Sequence, residues 1–469
     1  MQIKATMADA YKLIHEGIQA LARAERQGIR IDIPYCERVK KRLTRRINRL
    51  ERKFKEMELY RLWEKVFRAK TNIYSNDQLS YLLYRVMKIE PPKFTAGGKG
   101  ATDEEALSQI DVPGVGIIVK IRKLLRVRDT YLEAFIKEQT DGYIHPFFNL
   151  HTVRTFRSSS SDPNFQNIPK RDKDAQKICR RALFPRPGHR LVSMDFSALE
   201  VMISACYHKD PNMLAYLRDK TSDMHLDMAK QIFIFDSLDR SIPAHALLRQ
   251  ATKNGFVFPQ FYGDYYGNNA RYLADWVKLP QGRWERGMGI ELPDGSHISD
   301  HFIANGIKEF GTIKEVRGRT IATGFLKHVQ EIENDFWNRR FKVYNEWRKR
   351  WVEEYRKRGY LRMLTGFTCS GVMKKNEIIN YPIQGSAFHC LLFTFNRLDE
   401  AMRKEKWDSR LVGQIHDEIV MDVHPDEFEH VERTAHRIVR KELPAAWSWI
   451  IVPLEIEVEA FEIDGPWVK

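Results

Sequence analysis

Cysteine is scarce in this chain. Cys36, Cys179, Cys206, Cys369 and Cys390 are scattered, odd in number, and form no CxxC. That excludes a disulfide framework and a cysteine-built zinc site, and it suits a reducing compartment. No apolar run is long enough to span a bilayer, and the opening Met1-Gln2-Ile3-Lys4 has no signal-peptide character. A cytoplasmic chain without membrane contact is expected. Internal repeats and low-complexity tracts are missing, which sets solenoids and fibres aside. The Gly/Pro/Lys loop at 91–101 lacks Walker spacing, so it gives little support to a mononucleotide P-loop.

What the chain does hold is size, a core and positive charge. Its 469 residues predict two to four subdomains, and a hydrophobic content of 43% can fill them. Lysine and arginine number 77 against 62 acids, a formal charge of +15. An excess of that size favours a polyanionic partner, nucleic acid first. The charge is clustered. From Cys36 a long helix is predicted, with Val39, Leu43, Ile47, Leu50, Phe54 and Met57 as its apolar stripe. Its other faces carry eight cations within the fourteen residues 40–53, beside the single acid Glu51. That is more than solubility needs and suits a phosphate backbone. Lys120 to Phe135 reads as a second basic helix, with Lys120, Arg122, Lys123, Arg126 and Arg128. Together these pieces predict a helical subdomain gripping a duplex from one side.

Two acidic stretches carry the chemistry. Leu191 to Phe196 reads as a buried strand following the turn residues Pro185, Pro187 and Gly188, and helical spacing starts at Leu199, Met202 and Ile203. Asp195, at the strand's end, suits either a metal ligand at a cleft or a cap for the next helix. Far downstream, Leu411–Ile415 and Ile419–Met421 flank His416-Asp417-Glu418, which reads as a tight hairpin with acids at its tip. Adjacent acids between strand formers are costly if buried alone, and a hard divalent cation is the natural partner. Carboxylates from two strands can hold two metal ions ~3.5–4 Å apart, the arrangement used for in-line phosphoryl displacement.

Ser197-Ala198-Leu199-Glu200 has the form of a capping box. His225 opens a predicted helix and, as a lone histidine, reads as a surface residue. Arg249 and Lys253 share one helix face and are followed by Phe256, Phe258, Phe261 and Tyr262. Such a run can hold a triphosphate and stack a base, or it is an ordinary amphipathic helix; Pro259 should kink it. Residues 141–171 read as a linker or as a phosphate-contacting loop punctuated by Arg154, Arg157, Lys170 and Arg171. Residues 279–317 read as an excursion without periodicity. At the N-terminus a helix ends at Gly28, and a strand over Ile29–Ile33 stops at Pro34. One long helix is predicted over Val329–Tyr355, another from Asn380 to about Leu398, a third near 426–442, and a last strand over Ile451–Val458.

Several of these segments form an ordered set: SSSDPNFQNIP (159–169), MDFSALE (194–200), Arg249 with Lys253, Phe258, Tyr262 and Gly263, NYPIQGSA (380–387) and QIHDE (414–418). In that order they resemble the polymerase region of family A DNA polymerases, the DNA polymerase I type, in particular phage-like members. The resemblance implies an α+β right-hand fold with an antiparallel-sheet palm and largely helical fingers and thumb. It divides the chain into palm (1–35, 141–205 and 366–469), thumb (36–140) and fingers (206–365, including 279–317). It implies extension of a primer 3′-hydroxyl with dNTPs, by a monomer acting on primer-template DNA in the cytoplasm (that of a bacterial host, if phage-encoded). Asp195 and Asp417 would bind two magnesium ions, manganese being a possible substitute, with the Phe196 carbonyl as a further ligand and Glu418 in support. Arg249, Lys253 and His225 match triphosphate ligands, and Lys253 matches the proton donor to pyrophosphate. Glu200 matches the residue crowding the sugar 2′ position, Phe258 the aromatic facing the sugar, and Tyr262 the ring at the template base. Arg157, Asn380, Gln384, His416 and Arg171 match primer-template contacts.

The chain also departs from the family pattern. Arg249 to Phe258 spans nine residues instead of eight, which a π-bulge could absorb; Phe258 keeps the spacing to Tyr262-Gly263 better than Val257 does. Ala198, Met202 and Asn376 stand where glutamine, arginine and arginine are usual, which predicts weaker minor-groove and nucleotide contacts. There is no room for the family's proofreading domain, so the chain is expected either to lack proofreading or to belong to a longer one. The alternatives are a related RNA polymerase or reverse transcriptase, and a catalytically silent nucleic-acid clamp. Glu200 and Phe258 speak for deoxynucleotides, and the paired acids speak against a clamp.

Overall fold

The computed structural model describes residues 5–95, 97–169, 172–219, 221–316 and 319–468, with the backbone alone at 316, 319 and 320. Its central sheet has four antiparallel strands in the order Arg410–Ile415, Glu418–Val423, Arg190–Phe196 and Ile456–Ala460. Leu191, Val192, Met194, Ile419, Val420 and Met421 are all buried. Strands covered on both faces read as unbroken apolar runs, which is how these two announced themselves. The helices Met7–Gln27 and Lys375–Glu405 pack together and against the sheet. Near the C-terminus, Trp467 donates its indole N–H to Ser193 Oγ at 2.9 Å and stacks on Phe165.

Several boundaries differ from the sequence reading, each for a local reason. Ile33 opens the helix Ile33–Lys55: the Asp32 carboxylate accepts from Tyr35 N–H at 2.8 Å, and Pro34 fits the first turn instead of stopping the chain. Lys375–Glu405 begins five residues before Asn380 and contains Pro382. A proline there removes the N–H that would serve the Ile378 carbonyl. Trp351 replaces it, donating its indole N–H to that carbonyl at 3.2 Å. The predicted Val329–Tyr355 helix is two helices, Gly324–Asp335 and Lys342–Arg358, joined by a π turn over Phe336–Arg340. Between them Phe341 leaves helical geometry at φ −117°, and its ring packs on Phe336 at 4.8 Å. The last strand starts at Ile456, past Pro453, which has no N–H to give a ladder.

Over its described residues, 141–169, the predicted linker is folded. Phe147–Asn149 pairs with Ser159–Ser161, a single turn Phe165–Asn167 follows, and the Asp162–Pro163 bond is cis. The predicted 279–317 excursion is folded over its described residues, 279–316: it contains the helix Ile298–Ala304, and Trp284, Phe302 and Phe325 meet at centroid distances of 5.2–5.6 Å. The basic Ile33–Lys55 helix reaches into a second, separate core of Phe54, Trp63, Leu79, Leu83, Leu107 and Ile118. Among the described residues, no helix is long and apolar enough to cross a membrane.

Candidate active-site cleft

The two acidic stretches meet at the sheet's end. Ile415 pairs with Glu418, so His416 and Asp417 alone make the hairpin turn. His416 has φ +54°, a region that costs a side-chain-bearing residue energy. Buried Gln414 braces it: its Nε2 donates to the His416 carbonyl, while its Oε1 accepts from Ser158 Oγ and from Gln166 Nε2, both at 2.6 Å. The turn then docks on the central strand, because Phe196 N–H donates to the Asp417 carbonyl at 3.2 Å. Asp417, one residue before the strand partner of Asp195, is thereby held at the same end of the sheet.

Asp195 lies opposite Glu418 on one side and Glu457 on the other. Like charges directly opposite one another destabilise a sheet. Glu418 is neutralised in place: Arg180 clasps both its oxygens at 2.8 and 3.3 Å, and the guanidinium lies 3.9 Å from the Trp467 ring. Glu457 accepts from Ser197 Oγ at 3.1 Å. Glu418 is therefore buried on the strand, not carried at the tip of the turn.

Above this floor opens a cleft of about 1380 Å³, lined among others by Arg157, Glu200, Phe258, Tyr262, Gln384 and Asp417. That exceeds the ~300–1,000 Å³ of ordinary small-ligand pockets and suits a polymer. Lys123, Arg126 and His416 also face it, with Glu104 and Glu105 offsetting part of the positive charge. Asn380 borders a smaller recess with Glu200, Phe258, Tyr262 and Gln384, and its Nδ2 donates to the Tyr262 carbonyl at 3.3 Å. Arg171 lies outside the described residues.

Glu200 does not form the capping box. Ala198 takes the N-cap position of the helix Leu199–His208 in left-handed geometry at φ +50°, without a side-chain cap. Tertiary partners claim the Glu200 carboxylate: Tyr262 Oη donates to it at 2.5 Å and Arg157 at 3.1 Å. Burial, with the Glu200 charge second, pushes the Tyr262 hydroxyl far above its usual range.

Phe258 and Tyr262 come from one discontinuous helix. Pro243–Thr252 is α-helical, Lys253–Val257 forms a π turn, and Phe258–Tyr262 resumes the α-helix up to Gly263 at φ +89°. The extra residue between Arg249 and Phe258 is absorbed in that π turn. It leaves Val257 buried and brings Phe258 to the cleft. At that φ a side chain is strained, and a Cβ on Gly263 would also lie 2.4 Å from Asn376 Oδ1, which favours glycine.

Two of the predicted triphosphate ligands flank the Phe258 ring, and the third, Arg249, is bonded to the cap of the helix that carries His225. Lys253 Nζ is 5.4 Å and the His225 ring 5.6 Å from the Phe258 ring. Arg249 Nε donates to Asp223 at 2.6 Å, and Asp223 caps the helix Met224–Phe233 that carries His225. Burial raises the Asp223 carboxyl, but Arg249 and the Leu226 N–H outweigh it and hold it low. Burial, then the charges of Arg249 and Lys253, push His225 down to about 4. It is a neutral, half-buried imidazole, not a surface histidine. The brace residues Ser158, Gln166 and Gln414 were not singled out as site residues; the signal is that Gln166 and Gln414 belong to the SSSDPNFQNIP and QIHDE stretches and Ser158 immediately precedes the first.

The model of DNA polymerase family A matches residues 34–288 and 298–463. DNA polymerase I of Aquifex aeolicus is 27% identical over 458 residues, 96% of this chain and 66% of that protein. The thermostable DNA polymerase I of Thermus thermophilus is 27% identical over 459 residues, 94% of this chain and 46% of that protein. The chain thus spans less than two thirds of the length of these relatives. Among solved structures, the POL domain of Pol1 from M. smegmatis, in complex with DNA primer-template and dNTP, superposes with a TM-score of 0.70 at 22% identity, covering 96% of this chain and 69% of that one. The match of the family model along nearly the whole chain settles its kinship: it belongs to DNA polymerase family A.

Proposed function

We propose that this chain extends a primer 3′-hydroxyl on a DNA template with dNTPs. One observation carries the reading: the Phe196 N–H to Asp417 carbonyl bond, which ties the turn bearing Asp417, on the lining of a polymer-sized cleft, to the end of the strand bearing Asp195. The units of the hand are proposed as palm (1–35, 141–205, 366–469), thumb (36–140) and fingers (206–365). The separate core behind the basic helix supports the thumb.

The donors at the floor are all carboxylate or carbonyl oxygen, which suits hard cations. Among the described residues, no three His, Cys, Asp or Glu side chains form a ready metal cage, so substrate phosphates would complete the coordination. Asp195, Asp417 and the Phe196 carbonyl would hold two magnesium ions, with manganese as a substitute. Bound there, the ions would supply Lewis acidity toward the 3′-hydroxyl and positive charge against the triphosphate.

The protein's own groups do the rest. Arg249, Lys253 and His225 would bind the triphosphate, and Lys253 would protonate the departing pyrophosphate. Phe258 packs on the sugar, Glu200 fills the space a 2′-hydroxyl needs, and Tyr262 closes the template-base position. Arg157, Asn380, Gln384 and His416 orient the primer-template, and Glu418 acts through the floor it shares with Asp195. The test is magnesium-dependent extension of a primed template with dNTPs and, in parallel, with rNTPs. Steady extension with dNTPs is expected, and extension only with rNTPs would overturn the reading.

A further inference from the structure

Gln260 is fully buried on the helix Phe258–Tyr262, two residues from each of its cleft-facing rings and on the opposite side of that helix. A carboxamide inside an aromatic core is costly unless each of its ends is bonded. Here each one is. Trp337 donates its indole N–H to Gln260 Oε1 at 2.6 Å, and Gln260 Nε2 donates to Asn269 Oδ1 at 2.5 Å and to Glu333 Oε1 at 3.0 Å. The second Glu333 oxygen accepts from Tyr266 N–H at 3.0 Å. Asn269 Nδ2 reaches on to Asp264, just beyond Gly263, at 3.4 Å. The Arg348 guanidinium caps the cluster from 4.1 Å over Trp337. One side chain thus ties the cleft-facing helix to Tyr266–Trp276, to Gly324–Asp335 and to the π turn beyond it.

Apolar packing alone would hold this short helix without fixing its rotation, since apolar contacts are non-directional. Three directional bonds do fix it. A rotation that broke them would strand a half-buried carboxylate, a buried indole N–H and a buried amide. We propose that Gln260 is a positioning residue that sets the aim of Phe258 and Tyr262 into the cleft, and so controls nucleotide affinity and base selection. The inference rests on the polymerase reading above. Gln260 touches no substrate; it acts through the rings on the other face of its helix.

The test compares Q260M, W337F, Q260E and the double variant Q260E/E333Q with the unmodified chain in single-nucleotide primer extension. Q260M keeps the volume and loses the amide, and W337F removes only the indole donor. Q260E sets two carboxylates against each other, and E333Q in that background restores a donor–acceptor pair. Expected are KM for the correct dNTP raised about tenfold in Q260M and Q260E, a smaller rise in W337F, an increased misincorporation ratio, kcat changed less than KM, and recovery of most of the KM loss in the double variant. Should Q260M fail to fold, W337F and the Q260E/E333Q pair carry the same comparison. KM and misincorporation within twofold of the unmodified chain in folded variants would overturn the positioning role while leaving the polymerase reading intact. An unmodified chain that extends no primer would overturn that reading, and this inference with it.

Discussion

The Tyr262 hydroxyl donates to the Glu200 carboxylate at 2.5 Å, joining the helix after the central strand to the helix that carries Phe258. Arg157 holds the other Glu200 oxygen. Glu200 is thus fixed at the cleft wall by two partners from separate segments. If it fills the 2′ position of the incoming sugar, Glu200→Ala should raise the kcat/KM of rNTPs relative to dNTPs by ~10–200-fold, the scale of one steric group in a pocket. An unchanged ratio in the folded variant would remove Glu200 from sugar selection.

Asp417 should be dispensable for binding and indispensable for chemistry. Metal-assisted stabilisation is worth several kcal/mol, so Asp417→Ala should slow extension by ~10³-fold or more. Duplex affinity should stay within a few-fold, because the exposed cations of the helix Ile33–Lys55 remain. Asp195→Ala should behave alike, and chelating divalent ions should reproduce the loss in the unmodified chain. Gel-shift and single-turnover assays on one preparation separate binding from chemistry; brisk extension by Asp417→Ala would refute the metal role.

The central strands and the acidic turn were legible because their information is local. Leu191–Phe196 is an apolar run ending in an acid, and Ile415 and Ile419 bracket a turn. The surplus residue between Arg249 and Phe258 was legible as well, since counting alone calls for a π turn, and Lys253–Val257 forms one. Glu200 was misleading: the S-x-x-E spacing fits a cap, but Tyr262 and Arg157 come from distant sequence and offer better bonds. The Phe341 break was invisible because aromatic spacing runs straight through it; only packing on Phe336 shows why the helix stops. Gln260 was invisible for the same kind of reason. A lone glutamine among aromatics gives no sign that Asn269, Glu333 and Trp337 will surround it.

The Arg180–Glu418 pair sets a stability prediction. Both side chains are nearly buried, at 11% and 5% exposure. Removing one partner strands a charge, so Arg180→Met should cost about 3–5 kcal/mol in denaturant unfolding. Arg180→Met with Glu418→Leu should recover most of that, since a buried pair replaced by apolar groups is often neutral. A double variant no more stable than Arg180→Met alone would mean that Glu418 has other essential partners.

Acid should loosen the fold through histidine. Burial holds His208 and His389 down to about 3, and burial with the neighbouring cations holds His225 at about 4. All three are neutral in the fold near pH 5, whereas in the unfolded chain they titrate near ~6.5. The unfolded state therefore binds more protons in this window. Their depressed pKa values cost nothing above ~6.5, and stability falls as pH drops through ~6.5 toward about 4 for His225 and about 3 for His208 and His389. Near pH 5 each imidazole should take up about one proton on unfolding, and His389→Gln should lower the total uptake by about one. Calorimetry in buffers of different ionisation enthalpy reads this directly; equal uptake in the two proteins would place His389 in contact with solvent.

The basic helix offers a test that does not depend on catalysis. Arg45, Arg46 and Arg49 are exposed on Ile33–Lys55, while Val39, Leu43 and Ile47 on its other side are buried. Lys40, on the same helix, is already engaged by Glu133. If the exposed arginines neutralise backbone phosphates, duplex affinity should fall steeply with salt, and each Arg→Ala at these positions should flatten the plot of log K against log[salt] by ~0.9. Lys40→Ala should change the slope less, because its charge is partly spent on Glu133. The weakening should be uniform across DNA sequences, since phosphate contacts carry no base information. Slopes identical in the arginine variants and the unmodified chain would move the duplex off this helix, and the thumb assignment would fall with it.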